Sequence, residues 1–184
     1  MRIFFALLIS TVLAGCAAPP PLSFSVPNVG YSTKKIDAEV KSITVSVARE
    51  DEKKGDLPMG VEAIPQMWKS ALEEALNRMA IFKDDAAKKL SLSVKILAVN
   101  IPAFGADMTT KSIARYELID RADGGIVFTQ DVSTDGTVPF SQNLLGIARA
   151  RESINRSVQA NIGQFLQSLE TVDVNKPMFP SPKQ

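Results

Sequence analysis

The sequence predicts a two-layer α+β sandwich in which a four-stranded mixed sheet carries two helices on one face, in the order β-α-β-β-β-α. Three observations support this fold class. Apolar side chains recur at every second position in four segments, which is the period of a strand with one buried face. They recur at three- and four-residue spacing in two longer segments, as in amphipathic helices. Because β-α-β connections cross right-handedly, both helices can lie on the same sheet face, which leaves the other face mostly polar.

The N-terminus has the pattern of a secretory signal peptide over residues 1–15. Arg2 supplies a positive start, and residues 3–12 are apolar apart from two hydroxyl side chains. A transmembrane helix needs about 20 apolar residues to cross roughly 30 Å of hydrocarbon, so this shorter run indicates a secretory signal rather than a membrane span. Ala14 and Gly15 then provide the small side chains that a processing site requires.

The residues Leu13-Ala14-Gly15-Cys16 resemble the lipobox of bacterial lipoproteins, and Cys16 is the only cysteine in the chain. The resemblance implies cleavage before Cys16, a thioether-linked diacylglycerol on its sulfur and a further amide-linked acyl chain. Together these chains would anchor the protein, since a single acyl chain binds a membrane only weakly. The alternative is ordinary secretion with an incidental thiol, although an unpaired thiol is a liability in an oxidising compartment.

The residue after the cysteine bears on the destination of the protein. In enteric-type bacteria, lipoproteins with aspartate at that position tend to stay at the inner membrane, whereas this chain has Ala17. The resemblance therefore implies a lipid anchor on the periplasmic face of the outer membrane. A lipoprotein of the inner membrane, or of a Gram-positive cell membrane, is the alternative.

Charge balance excludes some classes of partner. Removing residues 1–15 removes Arg2 alone among the charged residues, so 21 Lys and Arg become 20 against 20 Asp and Glu. A chain of zero net charge argues against nucleic-acid binding, which rests largely on phosphate neutralisation by basic side chains. The remaining 169 of the 184 residues suit one domain. With no second cysteine, that domain depends on apolar burial rather than on a disulfide.

Three segments organise the chain after the signal peptide. Residues 16–35 are rich in proline near their start and lack a sustained period, which predicts a lipidated, semi-rigid tether that holds the body off the bilayer. Residues 36–172 form a single α+β domain. Residues 173–184 contain three prolines and no period, which predicts a disordered C-terminal tail.

The domain begins with a strand and a helix. Apolar side chains alternate with Ser and Thr over 41–47, which predicts the first strand, and a charged, solvated loop follows over 49–56. Residues 65–82 form the first helix, where Pro65 suits the first turn because the N–H that it lacks is not needed there. Trp68, the only tryptophan, lies on the apolar stripe of this helix. We therefore expect it in the core rather than in a binding site.

Three strands and a long helix complete the domain. Alternation predicts strands over 90–101, 110–120 and 126–138, and Asp123-Gly124-Gly125 is a hairpin signal because these residues tolerate positive φ. The last helix covers about 144–169. Its apolar stripe consists of Ile147, Ile154, Val158, Ile162, Phe165 and Leu169. Arginines lie largely off this stripe, where we expect a solvated helix face rather than an anion site: Arg149, Arg151 and Arg156.

The alternation changes phase after Ile96, and this change defines a candidate interaction patch. If the strand keeps its register, apolar side chains gather at one end of the otherwise polar sheet face, where they would dock another envelope protein or a lipid. The patch consists of Leu97, Val99, Ile101, Phe104, Met108 and Ile113. The alternative is a β-bulge near Ile96 that turns the same residues back into the core.

The sequence contains no motif that is typical of an enzyme. There is no histidine, which is the commonest metal ligand and acid–base group, and lipidation would consume the one cysteine. No phosphate-binding glycine-rich loop precedes a helix, and no Gly-x-Ser-x-Gly elbow occurs. Composition leaves a Ser–Lys pair open, but no spacing indicates one. We therefore expect a protein that is not an enzyme, with no catalytic residues, no metal site and no cofactor.

The body resembles the small α+β lipoproteins of the Gram-negative envelope, including the auxiliary lipoproteins of ABC transport systems. The residues that carry this resemblance are the lipobox, Tyr116-Glu117-Leu118-Ile119-Asp120 with its Asp-Gly-Gly turn, and Ile162-Gly163-Gln164-Phe165-Leu166. It implies a non-catalytic binding or accessory module of an envelope transport or assembly complex, with membrane lipid at Cys16 and an envelope protein as partners. The alternative is a structural envelope lipoprotein that self-associates.

Overall fold

The computed structural model describes residues 20–57 and 61–176. Its elements are β1 (Glu39–Val47), α1 (Ile64–Met79), β2 (Lys89–Asn100), β3 (Met108–Asp120), β4 (Ile126–Val138) and α2 (Gly146–Leu169). The strands form one sheet in the order β1-β2-β3-β4, in which β1 and β2 are parallel and the other neighbours are antiparallel. Both helices share a core with one face of this sheet. The predicted α+β fold, with its element order and mixed sheet, is therefore confirmed.

Some sequence predictions fall outside the described part of the chain. These are the signal peptide over 1–15, the lipidation site Cys16 and the end of the predicted tail from residue 177. Within 20–57 and 61–176, no helix combines the length and the apolar character that a membrane crossing requires.

Helix α1 has Pro65 in its first turn, as predicted, and it ends three residues earlier than predicted. Ala80 adopts a left-handed conformation with φ 47°, and its N–H donates to the carbonyl of Leu76 at 2.9 Å, which terminates the helix. Trp68 is fully buried, so its predicted place in the core is confirmed. Its indole N–H donates to the hydroxyl of Tyr116 on β3 at 3.1 Å, which satisfies the polar end of the side chain.

The predicted tether is wrong for residues 20–35, because this segment packs on both helices. Phe24 is 2% exposed, and its ring meets Trp68 of α1 edge to face with 6.2 Å between the centroids. The backbone N–H of Ser23 donates to Oδ1 of Asn155 on α2 at 2.9 Å. The segment lacks a helical or strand period because it is an extended chain whose partners lie on two different helices.

The same segment reaches the far end of α2. The Lys34 ammonium donates to the carbonyls of Glu170 (2.7 Å) and Val172 (2.9 Å), where the helix dipole favours a cation. Its contacts with α2 advance along the helix as the chain proceeds from Ser23 to Lys34, so the segment runs parallel to α2.

The predicted start of the disordered C-terminal tail at residue 173 is also wrong, because Val174 is 3% exposed and belongs to the core.

Helix α2 buries the predicted apolar stripe except at its first turn. Ile154, Val158, Ile162, Phe165 and Leu169 are buried against the sheet. Ile147 is 59% exposed, so its predicted burial is wrong. The helix begins at Gly146, and its first turn carries Ile147 outward rather than onto the sheet.

A second, polar stripe of α2 is buried beside the apolar one. Ser153, Ser157 and Asn161 recur at four-residue spacing and are all fully buried. Hydroxyl pairs join the first two to β3, at 2.7 Å from Ser153 to Thr110 and 2.8 Å from Ser157 to Ser112. We call these residues and their partners the polar seam: Thr110, Ser112, Tyr116, Thr134, Ser153, Ser157 and Asn161. Each of its side-chain polar groups has a partner, as buried polar groups require.

Close approach of the backbone makes the polar seam possible. A Cβ atom on Gly136 of β4 would lie 2.3 Å from both the carbonyl oxygen of Ser153 and the backbone nitrogen of Ser157. Only a residue without a side chain leaves room for α2 at this position. The short hydroxyl side chains of α2 can therefore reach hydroxyl and carbonyl groups of β3 and β4.

Candidate interaction surface

The predicted patch at residues 97–113 does not form an exposed surface. The pairing of β2 with β3 shifts between Ile96 and Ala98, which is the predicted alternative of a β-bulge. The bulge places Val99 in the core, and Leu97 is also buried. Of the six residues, three are buried (Leu97, Val99 and Met108), two are half-buried (Ile101 and Ile113), and Phe104 is 87% exposed.

The charged loop after β1 extends the sheet along β2 beside this bulge. The N–H of Lys54 donates to the carbonyl of Leu97 at 3.0 Å, and the N–H of Val99 donates to the carbonyl of Asp56 at 2.8 Å. These two bonds satisfy backbone groups of β2 beyond the end of β1. The sequence left open whether Leu97 and Val99 lie on the surface or in the core, and the register shift together with this pairing places both in the interior.

The sheet face opposite the helices is polar, and its central charges are paired. Arg115 of β3 donates two hydrogen bonds to Asp131 of β4, at 2.6 Å from Nε and 3.0 Å from Nη2. The Lys54 ammonium lies 2.6 Å from the same carboxylate. The hydrogen bonds from Arg115, followed by those from Lys54, lower the pKa of Asp131 to about 2, and Asp131 in turn raises the pKa of Arg115. This open sheet face therefore has a fixed charge pattern at neutral pH.

The ion pair of Arg115 and Asp131 should stabilise the fold at neutral pH and lose this effect only in strong acid. Because the pKa of Asp131 is lowered by folding, its contribution is complete above the ordinary aspartate pKa of about 3.9 and is lost as the pH falls through about 2. Asp131→Asn should therefore lower the free energy of unfolding by about 1 kcal/mol at pH 7, allowing for solvent screening, and by much less near pH 2. Urea unfolding at both pH values measures the difference, with Asp135→Asn on the same strand as the control. An equal effect at both pH values would contradict the pairing.

Exposed apolar side chains concentrate on two neighbouring loops and the first turn of α2. We call this surface the apolar rim: Phe104, Phe140, Leu144, Leu145 and Ile147, which are between 49% and 87% exposed. Phe104 lies on the loop from β2 to β3, and the other four lie between the end of β4 and the first turn of α2. The N–H of Phe140 donates to the carboxylate of Asp107 at 3.0 Å, so the two loops are in direct contact.

The buried side chain of Arg149 joins these two loops through hydrogen bonds. Its guanidinium donates to the carbonyls of Asn143 (2.6 Å) and Gly105 (3.3 Å) and lies 4.9 Å from the centroid of the Phe140 ring. The side chain is 4% exposed, so the predicted solvated position of Arg149 is wrong. No carboxylate pairs with it among the described residues, and its Nε has no hydrogen-bond partner there. The sequence did not predict that Arg149 joins the two loops. Its position in the helical pattern does not distinguish it from Arg151 and Arg156, which also lie off the apolar stripe.

A groove of about 710 Å³ lies between β1 and α1, and its charges are largely paired with one another. Lys41 contacts Glu39 at 2.5 Å, and Lys69 lies 3.6 Å from Glu73. Within the described ranges, no three acidic, histidine or cysteine side chains are grouped so that they could hold a metal ion.

The amino-acid sequence matches no protein-family model and no curated protein. Several solved structures resemble the fold at low identity. A DUF330 protein of Xanthomonas campestris is 11% identical, with 84% of this chain and 96% of that chain covered and a TM-score of 0.48. The PelC dodecamer of Paraburkholderia phytofirmans is 14% identical over 82% and 91%, with a TM-score of 0.42. A minor lipoprotein of Acinetobacter baumannii is 10% identical over 80% and 99%, with a TM-score of 0.42.

Proposed function

We propose that this protein is a lipid-anchored lipoprotein of the periplasmic face of the outer membrane, which serves an envelope transport or assembly complex as a non-catalytic accessory module. The observation that carries the proposal is the sequence Leu13-Ala14-Gly15-Cys16 at the end of a short apolar run. Cys16 would carry the acyl chains, and Ala17 in place of aspartate supports the outer membrane. The absence of histidine from the sequence and of a second cysteine supports a role in binding rather than in catalysis.

The open sheet face is the surface that best suits a protein partner. It lies opposite both helices, and most of its side chains are polar or charged, as at Ser93, Glu117 and Ser133. Its central ion pair of Arg115 and Asp131 offers a fixed pattern of opposite charges, which favours the correct partner and register more than it adds affinity. A transient interface of this polar kind suits an accessory subunit.

Crosslinking in cells tests this role. A photoreactive amino acid is placed at Ser133 on the open face, and the control carries it at Asn77, which is exposed on α1. We expect Ser133 to give one heterologous crosslinked band in the membrane fraction and Asn77 to give none. A ladder of homomeric products from Ser133 would instead support the structural, self-associating lipoprotein.

The anchor is tested in the same cells. Mass spectrometry should find residues 1–15 removed and acyl chains on Cys16, and Cys16→Ser should move the protein from the membrane to the soluble fraction. If Cys16 is unmodified in protein that washes freely from membranes, the lipoprotein assignment fails. If the crosslinks from position 133 persist unchanged in Cys16→Ser, the protein binds its partner without needing the lipid anchor.

A further inference from the structure

The apolar rim points to a second contact with the membrane. We propose that the loops bearing Phe104, Phe140 and Leu144 insert their side chains into the interface of the bilayer that holds the lipid anchor. The body would then rest on the membrane in one orientation instead of hanging from a long tether. This inference rests on the proposed lipidation of Cys16, and its test is designed to fail separately from it.

The distribution of exposed apolar side chains supports a membrane contact. Among the described residues, seven large hydrophobic side chains are exposed, and five of them belong to the apolar rim. The other two are Leu22 and Tyr31. Large exposed apolar side chains gathered on adjoining loops are typical of a site that contacts a partner or a lipid. Two phenylalanines among the five suit the interface, where large apolar side chains of peripheral proteins enter the boundary between headgroups and acyl chains.

The charge of the rim suits lipid as the occupant. Residues 101–107 and 139–148 contain one charged side chain between them, that of Asp107. Its carboxylate already accepts a hydrogen bond from the N–H of Phe140, and the Arg149 guanidinium is held below the rim by two carbonyls. Insertion of Phe104 and its neighbours would therefore bring one charged side chain of these two segments, that of Asp107, toward the poorly hydrated layer.

The chain passes beside the rim at Pro20, four positions after the proposed anchor at Cys16. Pro20 borders a cleft with Asn143 and Ala148, at the start of α2. The Asn155 amide holds the next residue in place by donating to the carbonyl of Pro21 at 3.1 Å. Three residues separate Pro20 from Cys16, so the Cα atoms of these two residues can lie at most about 14 Å apart. Acyl chains on Cys16 would therefore enter the bilayer within a short distance of the apolar rim.

The length of α2 determines how far the opposite end of the molecule lies from the apolar rim, and therefore from lipid. The helix has 24 residues, so Glu170 lies about 36 Å from the rim along its axis. The β3–β4 turn at Ala122 also lies at the end of the sheet away from the rim. The proposal thus predicts lipid contact at one end of the molecule and none at the other.

Depth-dependent quenching in the full lipidated protein tests this orientation. Because lipidation consumes Cys16, an introduced cysteine is the one free thiol, and it can carry an environment-sensitive fluorophore. Ala103→Cys and Gln142→Cys place the label beside Phe104 and Leu144 without removing either, and both sites are exposed. Ala122→Cys and Glu170→Cys are matched controls at exposed sites on the opposite end. The proteins are reconstituted into phosphatidylethanolamine–phosphatidylglycerol vesicles with or without nitroxide-labelled lipid.

We expect nitroxide lipid to quench the labels at 103 and 142 at least about twofold and to leave those at 122 and 170 nearly unchanged. Adding Phe104→Ser and Leu144→Ser should reduce the quenching at 142 to the level of the controls, because these exposed side chains supply the insertion. Both replaced residues are mostly exposed, and a circular dichroism melt checks that folding is unaffected.

Other outcomes overturn the proposal in distinguishable ways. If Cys16 carries its lipid and no position is quenched, the anchor stands and the rim does not touch the bilayer. If the double serine variant is quenched as strongly as its parent, the short anchor alone determines the position of the body. If light scattering finds a dimer that the serine substitutions dissociate, and the rim is not quenched, the rim is an interface between copies.

Discussion

Replacing Gly136 with alanine is expected to lower the free energy of unfolding by about 3 kcal/mol or more. The new Cβ would meet the carbonyl oxygen of Ser153 and the backbone nitrogen of Ser157 at 2.3 Å, well inside van der Waals contact. Both opposing atoms belong to the backbone of α2, so no side chain can rotate out of the way. The helix must instead move off β4, which would break the hydroxyl pairs of the polar seam. Urea unfolding followed by circular dichroism measures the loss.

Gly163, which lies on α2, provides the control. A Cβ on Gly163 would meet only Val26, at an ordinary distance of 3.9 Å. Gly163→Ala should therefore raise the free energy of unfolding by about 0.5–1 kcal/mol, because alanine lowers the entropy lost on forming a helix. The two substitutions thus have opposite expected signs. A loss below about 0.5 kcal/mol for Gly136→Ala would mean that α2 does not press on β4 as described.

Local patterns were enough to predict the fold class, because periodicity records which face of an element is buried. The alternation from Leu90 to Ile96 and the stripe containing Trp68 both correspond to the observed core. The same patterns could not decide the position of Leu97 and Val99. The phase change after Ile96 is compatible with a straight strand or a bulge, and only the pairing with β3 distinguishes the two.

Residues 20–35 could not be placed from sequence for a different reason. Their partners are remote in the chain, since Ser23 bonds to Asn155, 132 positions away. An extended segment that fits between two helices needs neither a strand alternation nor a helical period. Proline and glycine in such a segment therefore indicate only that it is not a regular element. The predicted tether over 16–35 therefore fails for all of its residues that the structure describes, which are 20–35.

The polar seam was missed because serine and asparagine at helical spacing are typical of a solvated face. A signal was nevertheless present in Gly136, since a glycine inside a strand often marks the close approach of another backbone. The seam ends at Asn161, which is fully buried. The Asn161 amide donates to the carbonyl of Val132 at 3.0 Å, and its oxygen accepts from the hydroxyl of Tyr116 at 2.9 Å. This geometry requires a donor and an acceptor in fixed places.

Asn161→Asp removes the donor and is expected to lower the free energy of unfolding by about 3–5 kcal/mol at pH 7. The new carboxylate would keep the Tyr116 hydroxyl as a donor, but its second oxygen would face the carbonyl of Val132. Burial and this carbonyl raise the pKa of the new carboxyl above the ordinary value of about 3.9. Native protein then binds a proton that unfolded protein has lost, so the penalty relative to wild type grows with pH between these two pKa values. The expected slope is about 1.4 kcal/mol per pH unit.

Asn161→Ala distinguishes the destabilisation caused by a buried charge from that caused by the loss of hydrogen bonds. It should also destabilise the protein, because it leaves a cavity and deprives Tyr116 of its acceptor, but it introduces no titrating group near the seam. Burial raises the pKa of Tyr116, so its hydroxyl stays protonated throughout the range. Unfolding by urea at pH 5, 6, 7 and 8 should give a nearly constant penalty for alanine and a rising one for aspartate. An aspartate penalty that is constant and no larger than the alanine penalty would mean that water reaches residue 161, and the polar seam would then be a hydrated crevice rather than part of the core.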